Sequence, residues 1–350
     1  MAEGWILTLN AGSSSLRLAA FGPDATPRAT RTLREIAVAG IPQSQLAAEI
    51  DDLGQDGPPA LIGHRIVHGL DMTAPAELTP EVLALIDRAS AFAPLHNPPA
   101  LAMAALCARL YPAARHGGCF DTAFHAQNPD VATTIPLPKA LRDQGMRRYG
   151  FHGLSYASVL RRFAAVTGQP LPRRVLMAHL GAGASLAAVV DGIGVATTMG
   201  FSPMDGLVMA TRAGAMDPGV LFHLLRQGYS ADAVEQMLNR ESGLLAMAGS
   251  SSMKTLLDSN TPEAKAAVDH YCYWITRHAG AMIAAMGGID GLVFTGGVGE
   301  NAAPVRQYVA DALGWTGLDP GNIWVTEADE EGEIASSMRA LFGQAGFRSP

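Results

Sequence analysis

The sequence predicts a duplicated α/β fold in two domains. Three observations lead there. The chain has 350 residues, long for a single hydrophobic core, so two domains are the default. Residues 5–21 and 174–190 echo one another, each running apolar strand, small Gly/Ser-type tip, apolar strand, the mark of an internal repeat. Elsewhere short apolar strands alternate with alanine-rich helical segments, as in α/β proteins.

Taken in order, residues 5–9 form a strand and 16–21 its return, joined by the tip in "LTLNAGSSSLR". Residues 22–60 are rich in Ala, Pro and Gly and read as loops, a strand and a short helix. "ALIG" enters "GHRIVHGL" as a buried strand. Thr79-Pro80-Glu81 supplies an N-cap, a first-turn proline and an early acid, so residues 79–93 are expected to be helical. A second helix starts after the two prolines of "APLHNPPALAMAALCARLY". "GGCFDTAFH" is a strand end emptying into a polar loop. The second half begins near Gly150 with "RRVLMAHLGAGASLAAVVDG", a strand, a turn of small residues and a returning strand. Residues 262–287 carry a long alanine-rich helical pattern. "GIDGLVFTGGVGENAAPVRQYVADAL" is a strand, a glycine loop and a helix, and a final helix follows Gly332.

Composition narrows the function. Hydrophobic residues make up 48% and charged residues 16%, which opposes disorder. A net charge of −7 without basic runs opposes nucleic-acid binding. The apolar stretch from Ala279 to Val298 is too broken by glycine and Asp290 to span a membrane. Cys107, Cys119 and Cys272 form no CxxC pair. With no signal-peptide pattern at the N-terminus, a reduced, cytoplasmic compartment is expected.

The chemistry gathers at small-residue turns. The Gly/Ser tip can aim several backbone N–H groups and hydroxyls at an anion; an ordinary hairpin turn is the alternative. It is not a P-loop, because no Gly-Lys-Ser/Thr occurs and a strand follows. "TGGVGEN" follows a strand and opens a helix, where phosphate is favoured. Arg65 and Arg212 end apolar stretches, and each needs a carboxylate or phosphate partner. Asp121 is placed similarly. Together these suit phosphoryl transfer to a small anion, with internal salt bridges as the alternative. His64, His68, His96, His125, His152 and His179 adjoin glycine, proline or strand ends but show no metal-binding spacing. One or two of them are expected to donate to phosphate.

The residues as a set resemble the acetate kinase family, the short-chain carboxylate kinases of the acetate and sugar kinase/Hsp70/actin superfamily. The likeness runs from residue 5 to about 340 through "LNAGSSSLR", "GHRIVHG", "APLHNPPAL", "FDTAFH", "RRYGFHGLSY", "HLGAGASLAAV", "MGFSPMDGLVMATRAGAMDPG", "SGLLAMAG" and "GLVFTGGVGENAAPVR". It implies duplicated ribonuclease H-like (actin-like ATPase) domains with an interdomain cleft that closes on substrate. An N-terminal domain on the acyl-substrate side would cover residues 1–149, joined by the C-terminal helix 331–350, and a nucleotide-binding domain residues 150–330. It also implies reversible phosphoryl transfer between ATP and acetate, giving acetyl phosphate and ADP, with Mg²⁺ or Mn²⁺, in a homodimer.

By the same resemblance, Asn10, Ser13, Ser15 and Arg17 lie near phosphate and metal, and Arg65 and Arg212 hold carboxylate and phosphoryl. Asp121 orients substrate or a metal-bound water. His152 and His179 donate to phosphoryl oxygens. Val67, Leu95, Phe151 and Pro203 shape a pocket for the methyl group. Gly181, Gly183, Lys254, Gly296, Gly297, Gly299 and Asn301 face the nucleotide. Asn10 and Glu330 hold the metal, with Glu331 as the competing neighbour in "TEADEEGEIA". Runs of acids like this one are more often solvated loops. The physics agrees: two anions must meet, and guanidinium groups lower their repulsion. Acetate is already ionised at neutral pH, so Asp121 has no general-base work to do.

The sequence departs from the family where asparagine usually stands in "HLGNG"; here it is Ala182. It also departs at "GSSSMKTL", where Ser252 and Lys254 stand nearest the family's Asp and Arg, and it is somewhat shorter than most members. Propionate or butyrate as acceptor, pyrophosphate as donor, or a nucleotide-binding regulator are the alternatives these changes leave open.

Overall fold

The computed structural model describes residues 4–12, 15–34, 36 and 38–343. Ser13, one of the expected phosphate-facing residues, lies outside the described residues, as does the expected helix beyond residue 343. The chain forms two compact units. The first comprises Met1–Ala126, Gly153–Ser158 and Asp329–Pro350, the second Gln127–His152 and Val159–Ala328.

The first unit is built on a six-stranded sheet of β1 (Ile6–Ala11), β2 (Ser15–Phe21), β3 (Pro27–Arg34), β4 (Leu61–Ile66), β5 (Ala76–Glu77) and β6 (Arg115–Phe120), in the order β3-β2-β1-β4-β6-β5. β1–β2 and β2–β3 are antiparallel, whereas β1–β4 and β4–β6 are parallel. Side chains alternate across β1, as a strand requires. Leu7 and Leu9 pack with Leu16, Leu18, Met103 and Cys107 on one face. Ile6 packs with Phe21, Ile334 and Met338 on the other. The helix Glu330–Phe342 approaches that second face closely because Gly63 and Gly117 lack side chains; a Cβ at Gly63 would run into Ile334 and Met338.

The second unit repeats the plan with β7 (Arg174–Leu180), β8 (Ala184–Val190), β9 (Ile193–Thr197), β10 (Gly291–Thr295) and β11 (Ile323–Val325). Read from β9, its order is β9-β8-β7-β10-β11, with two antiparallel pairs followed by two parallel ones. This is the order β3-β2-β1-β4-β6 of the first sheet, so the duplication seen in the sequence is a duplication of topology.

The expected helices form, with the caps the sequence supplies. Pro80–Ala89 starts at Thr79, whose side chain accepts from the Val82 amide. Pro262–Met286 starts at Thr261 in the same manner and ends at the left-handed Gly287. The glycine loop after β10 is instead the first turn of a helix, Gly296–Asn301, with no intervening residue. The acidic run is not a loop either. Asp329 caps it, Glu330 is its first helical residue, and Glu331 is buried. No described helix is long and apolar enough to cross a membrane.

Candidate active site

In the first unit the carboxyl ends of three parallel strands converge, where α/β proteins habitually bind ligands. Asn10 lies near the end of β1, Arg65 near the end of β4, and Asp121 just past β6. Arg65 Nη2 and Nε donate to Asp121 Oδ2 at 2.7 and 3.1 Å, and Nη1 donates to Asn10 Oδ1 at 2.9 Å. Nη1 also pairs with Glu330 Oε2 at 3.1 Å. Asn10 Nδ2 donates to Glu330 Oε2 at 2.8 Å and to Glu331 Oε1 at 3.0 Å, and the half-exposed Arg17 reaches Glu331 Oε2 at 3.4 Å. Asp121, Glu330 and Glu331 thus face Arg65 and Arg17.

Asp121 is 1% exposed. Burial, helped by the nearby Glu330 charge, pushes its carboxyl up to about 6 against the pull of Arg65 and the Leu154 amide. Its Oδ1 is buried without a hydrogen bond. Arg65 is held charged despite its own burial, because Asp121 and Glu330 flank it. Burial also raises the Glu331 carboxyl, while Arg17 opposes the shift.

Val67 is buried one step beyond β4. Asn97 ties its neighbour His68 to the segment carrying Leu95, accepting from the His68 amide at 3.0 Å and donating to the His68 carbonyl at 2.9 Å. His64 is a core residue, with its ring stacked on His116 and Nε2 3.2 Å from His116 Nδ1. Ser15 is exposed at the start of β2.

In the second unit His179 lies one residue before the end of β7 and stacks on His152 with ring centroids 4.2 Å apart. His152 Nδ1 lies 2.9 Å from Ser185 Oγ, and Ser185 stands opposite His179 on β8. His152 has a left-handed backbone, φ 60, uncommon away from glycine and frequent at working sites. The next residue, Gly153, donates its amide to the Asp121 carbonyl at 3.1 Å, and a Cβ there would collide with that carbonyl. The turn between β7 and β8 closes through the Gly181 amide and the Gly183 carbonyl at 2.9 Å. A Cβ on Gly183 would stand 3.1 Å from His152 Nε2 and 3.7 Å from Arg212 Nη1. A Cβ on Gly296, φ +77, would stand 3.2 Å from His179 Nε2, and one on Gly181 3.9 Å from the Gly297 amide. His152, His179, Arg212 and the glycines at 181, 183, 296 and 297 therefore surround one locus.

Arg212 sits there without a carboxylate partner among the described residues. Nη1 donates to the Pro203 carbonyl at 3.2 Å and approaches Met209 Sδ at 3.8 Å, and burial alone lowers its affinity for the proton. A guanidinium so placed has the chemistry to receive an anion. Beside the turns lies a cavity of about 850 Å³ whose walls include Ala182, Ser252, Lys254, Tyr271, Gly297 and Asn301. Asn301 Nδ2 is engaged by the Gly297 carbonyl at 2.9 Å. Ser252 caps the short helix that carries Lys254, accepting from Thr255. Phe151 and Pro203 are buried next to His152 and under Arg212 respectively. Gly299 is buried against β10.

A family model described as the acetokinase family matches residues 32–340. The chain belongs to the acetokinase family. An acetate kinase of Rhodopseudomonas palustris strain TIE-1 is 46% identical over 265 residues, 74% of this chain and 67% of the relative. The crystal structure of Porphyromonas gingivalis acetate kinase superposes with a TM-score of 0.87 at 30% identity, covering 97% of this chain and all of that one. A propionate kinase from Francisella tularensis superposes with a TM-score of 0.89 at 29% identity and the same coverage. The acetokinase fold is thus the fold of this chain, and the chain is a phosphotransferase with a carboxyl group as acceptor.

Three side chains that hydrogen-bond beside these residues were not singled out from the sequence. Asn97 lies inside "APLHNPPAL" and Glu300 inside "TGGVGEN", so the motifs marked them without a role. Ser185 carries no local signal, since its work depends on strand pairing.

Proposed function

We propose that this chain transfers the terminal phosphoryl group of ATP to acetate, reversibly, giving acetyl phosphate and ADP. The observation that carries the reading is Arg212, a half-buried guanidinium with no carboxylate partner among the described residues, set among His152, His179 and two glycine turns. In that role Arg212 and the two imidazoles hold the phosphoryl oxygens as charge spreads over them, and the glycine amides take the remaining phosphates. The cavity lined by Ala182, Lys254 and Asn301 receives the nucleoside. In the first unit Arg65, locked by Asp121 and Asn10, offers a fixed positive edge to the acyl carboxylate. Val67 and Leu95 of the first unit, and Phe151 and Pro203 of the second, are the side chains this reading assigns to the methyl group.

The reading calls for Mg²⁺. Hard oxygen donors suit it: Asn10, Glu330 and the unsatisfied Asp121 Oδ1 supply them. Among the described residues no cluster of three or more His, Cys, Asp or Glu could hold a metal alone. When bound it neutralises phosphoryl charge.

The second reading is a propionate kinase, favoured by the Francisella likeness. A small apolar pocket discriminates one methylene by only about 1–3 kcal/mol. A hydroxamate assay crossing ATP and pyrophosphate with acetate, propionate and butyrate tests both readings. Highest kcat/KM with ATP and acetate supports the first; a propionate preference moves the assignment to the second. No turnover with any pair, together with saturable ATP binding, would sink both.

The cytoplasm is the compartment this reading assumes, and the three cysteines are buried free thiols. A homodimer is part of the same reading, and the helix Pro218–Arg226 is the surface that supports it. None of its residues is buried, and it holds Val220, Phe222 and Leu225 exposed at 43, 56 and 44%.

A further inference from the structure

We propose that Glu300 is a positioning residue that fastens the nucleotide turn to the point where the chain leaves the second unit. The inference rests on the reading that a nucleotide occupies the turn at Gly296.

A single oxygen, Glu300 Oε1, accepts two backbone amides, that of Gly296 at 2.9 Å and that of Ala328 at 3.1 Å. Gly296 is the first residue of the glycine turn. Ala328 is the last residue of the second unit. Arg306 Nη1 fixes the base of this clamp, donating to the carbonyls of Gly299 and Glu300, both at 2.9 Å. Beyond Ala328 the chain is held at every step. The Asp329 amide donates to Ser158 Oγ at 3.2 Å, and Asp329 Oδ1 accepts from Gly332 at 3.0 Å. That cap opens the helix whose first residues, Glu330 and Glu331, accept from Asn10. Within the second unit the bonds therefore lead from the turn through Glu300 to Ala328, the residue that precedes the Asp329 cap in the chain.

The choice of a glutamate has a cost that a mere packing role would avoid. Its carboxylate takes an N–H that the helix start could offer to phosphate, and it adds negative charge near an anion site, where like charges repel. What offsets this is geometry: an amide-to-carboxylate bond is charge-assisted and about twice as strong as a neutral one. Two such bonds to one atom tie the two segments to each other.

The test compares Glu300→Gln and Glu300→Ala with wild type. Gln keeps an oxygen acceptor for both amides and removes the charge, so its kcat stays within about threefold and ADP binds a few-fold more tightly. Ala keeps ADP binding but loses both bonds, and kcat falls about tenfold. Hydrogen exchange supplies a readout that simple structural support would not move. In wild type, Mg-ADP slows amide exchange in the peptide covering residues 326–332. In the Ala variant Mg-ADP still binds by calorimetry but leaves that peptide unchanged, and Gln restores the response. Persistence of the response in the Ala variant would overturn the proposal, as would a Gln variant as slow as Ala. If wild type shows no saturable ADP binding, the nucleotide reading fails first, and calorimetry on wild type alone reveals it.

Discussion

Arg65 and Arg212 carry the same guanidinium in opposite circumstances, and the difference separates stability from activity. Removing Arg65 leaves Asp121 and Glu330 facing each other with Asp121 fully buried. Arg65→Ala is expected to cost about 3 kcal/mol of stability as well as activity. Arg212 has no carboxylate partner among the described residues, so Arg212→Ala should leave the melting temperature unchanged or raised while kcat/KM falls roughly 100- to 1,000-fold. Thermal melts beside the hydroxamate assay check both; a large loss of stability in the Arg212 variant would place that residue in the scaffold. Asp121 adds a pH signature. Burial raises its carboxyl from 3.8 to about 6, so on acidification the folded enzyme takes up a proton before the unfolded chain does. Its contribution to stability is therefore greatest below pH 3.8 and is lost as pH rises through about 6. Activity runs the other way: kcat/KM should fall below about pH 6, a limb that acetate, still ionised there, does not supply. A profile flat down to pH 5 would count against an ionised Asp121 in the reaction. At this scale the sequence was informative where a charge sat in an apolar stretch, since Arg65, Asp121 and Arg212 advertise an unmet need. Glu331 was harder to read, because a run of acids looks solvated until the helix they open is packed on Gly63 and Gly117.

At the scale of elements, the duplicated strand order was legible because each hairpin is local and apolar alternation survives in one sequence. The glycine turns were legible as composition but not as geometry. That Gly296 begins a helix directly, and that its amide belongs to Glu300, depends on a bond made four residues on and another to Ala328. The turn between β7 and β8 gives the sharpest test of the phosphate locus. A methyl group at Gly183 would press on His152 Nε2 at 3.1 Å, tight enough to turn the ring yet too slight to disturb the sheet. Gly183→Ala should reduce kcat about ten- to a hundredfold with a melting temperature within about 3 °C of wild type. Gly153→Ala is expected to unfold or destabilise the chain, because the obstacle there is the Asp121 backbone carbonyl. Equal losses of stability in the two variants would show that the β7–β8 turn is structural.

At the scale of the whole molecule, the chain passes between its two units at Ala126, His152, Ser158 and Ala328. No change of composition marks these points, since long-range contacts alone define them. A surface is equally silent in sequence: the residues 218–226 look like any amphipathic helix until one sees that Leu221 and Leu224 are only half-buried and Val220, Phe222 and Leu225 stay exposed. A nine-residue helix is marginal in water by itself, and Val220, Phe222 and Leu225 leave it with an exposed apolar side. Monomeric proteins rarely expose such patches without a partner. A second copy of the chain is the occupant this reading assigns, so sedimentation should find a dimer at micromolar concentration. Its melting temperature should rise with protein concentration, because association stabilises by mass action. Phe222→Asp places a charge in the patch and is expected to give a monomer whose melting temperature no longer depends on concentration. A wild-type chain that sediments as a monomer at every concentration, and melts independently of it, would remove the homodimer from the reading while leaving the chemistry of Arg212 untouched.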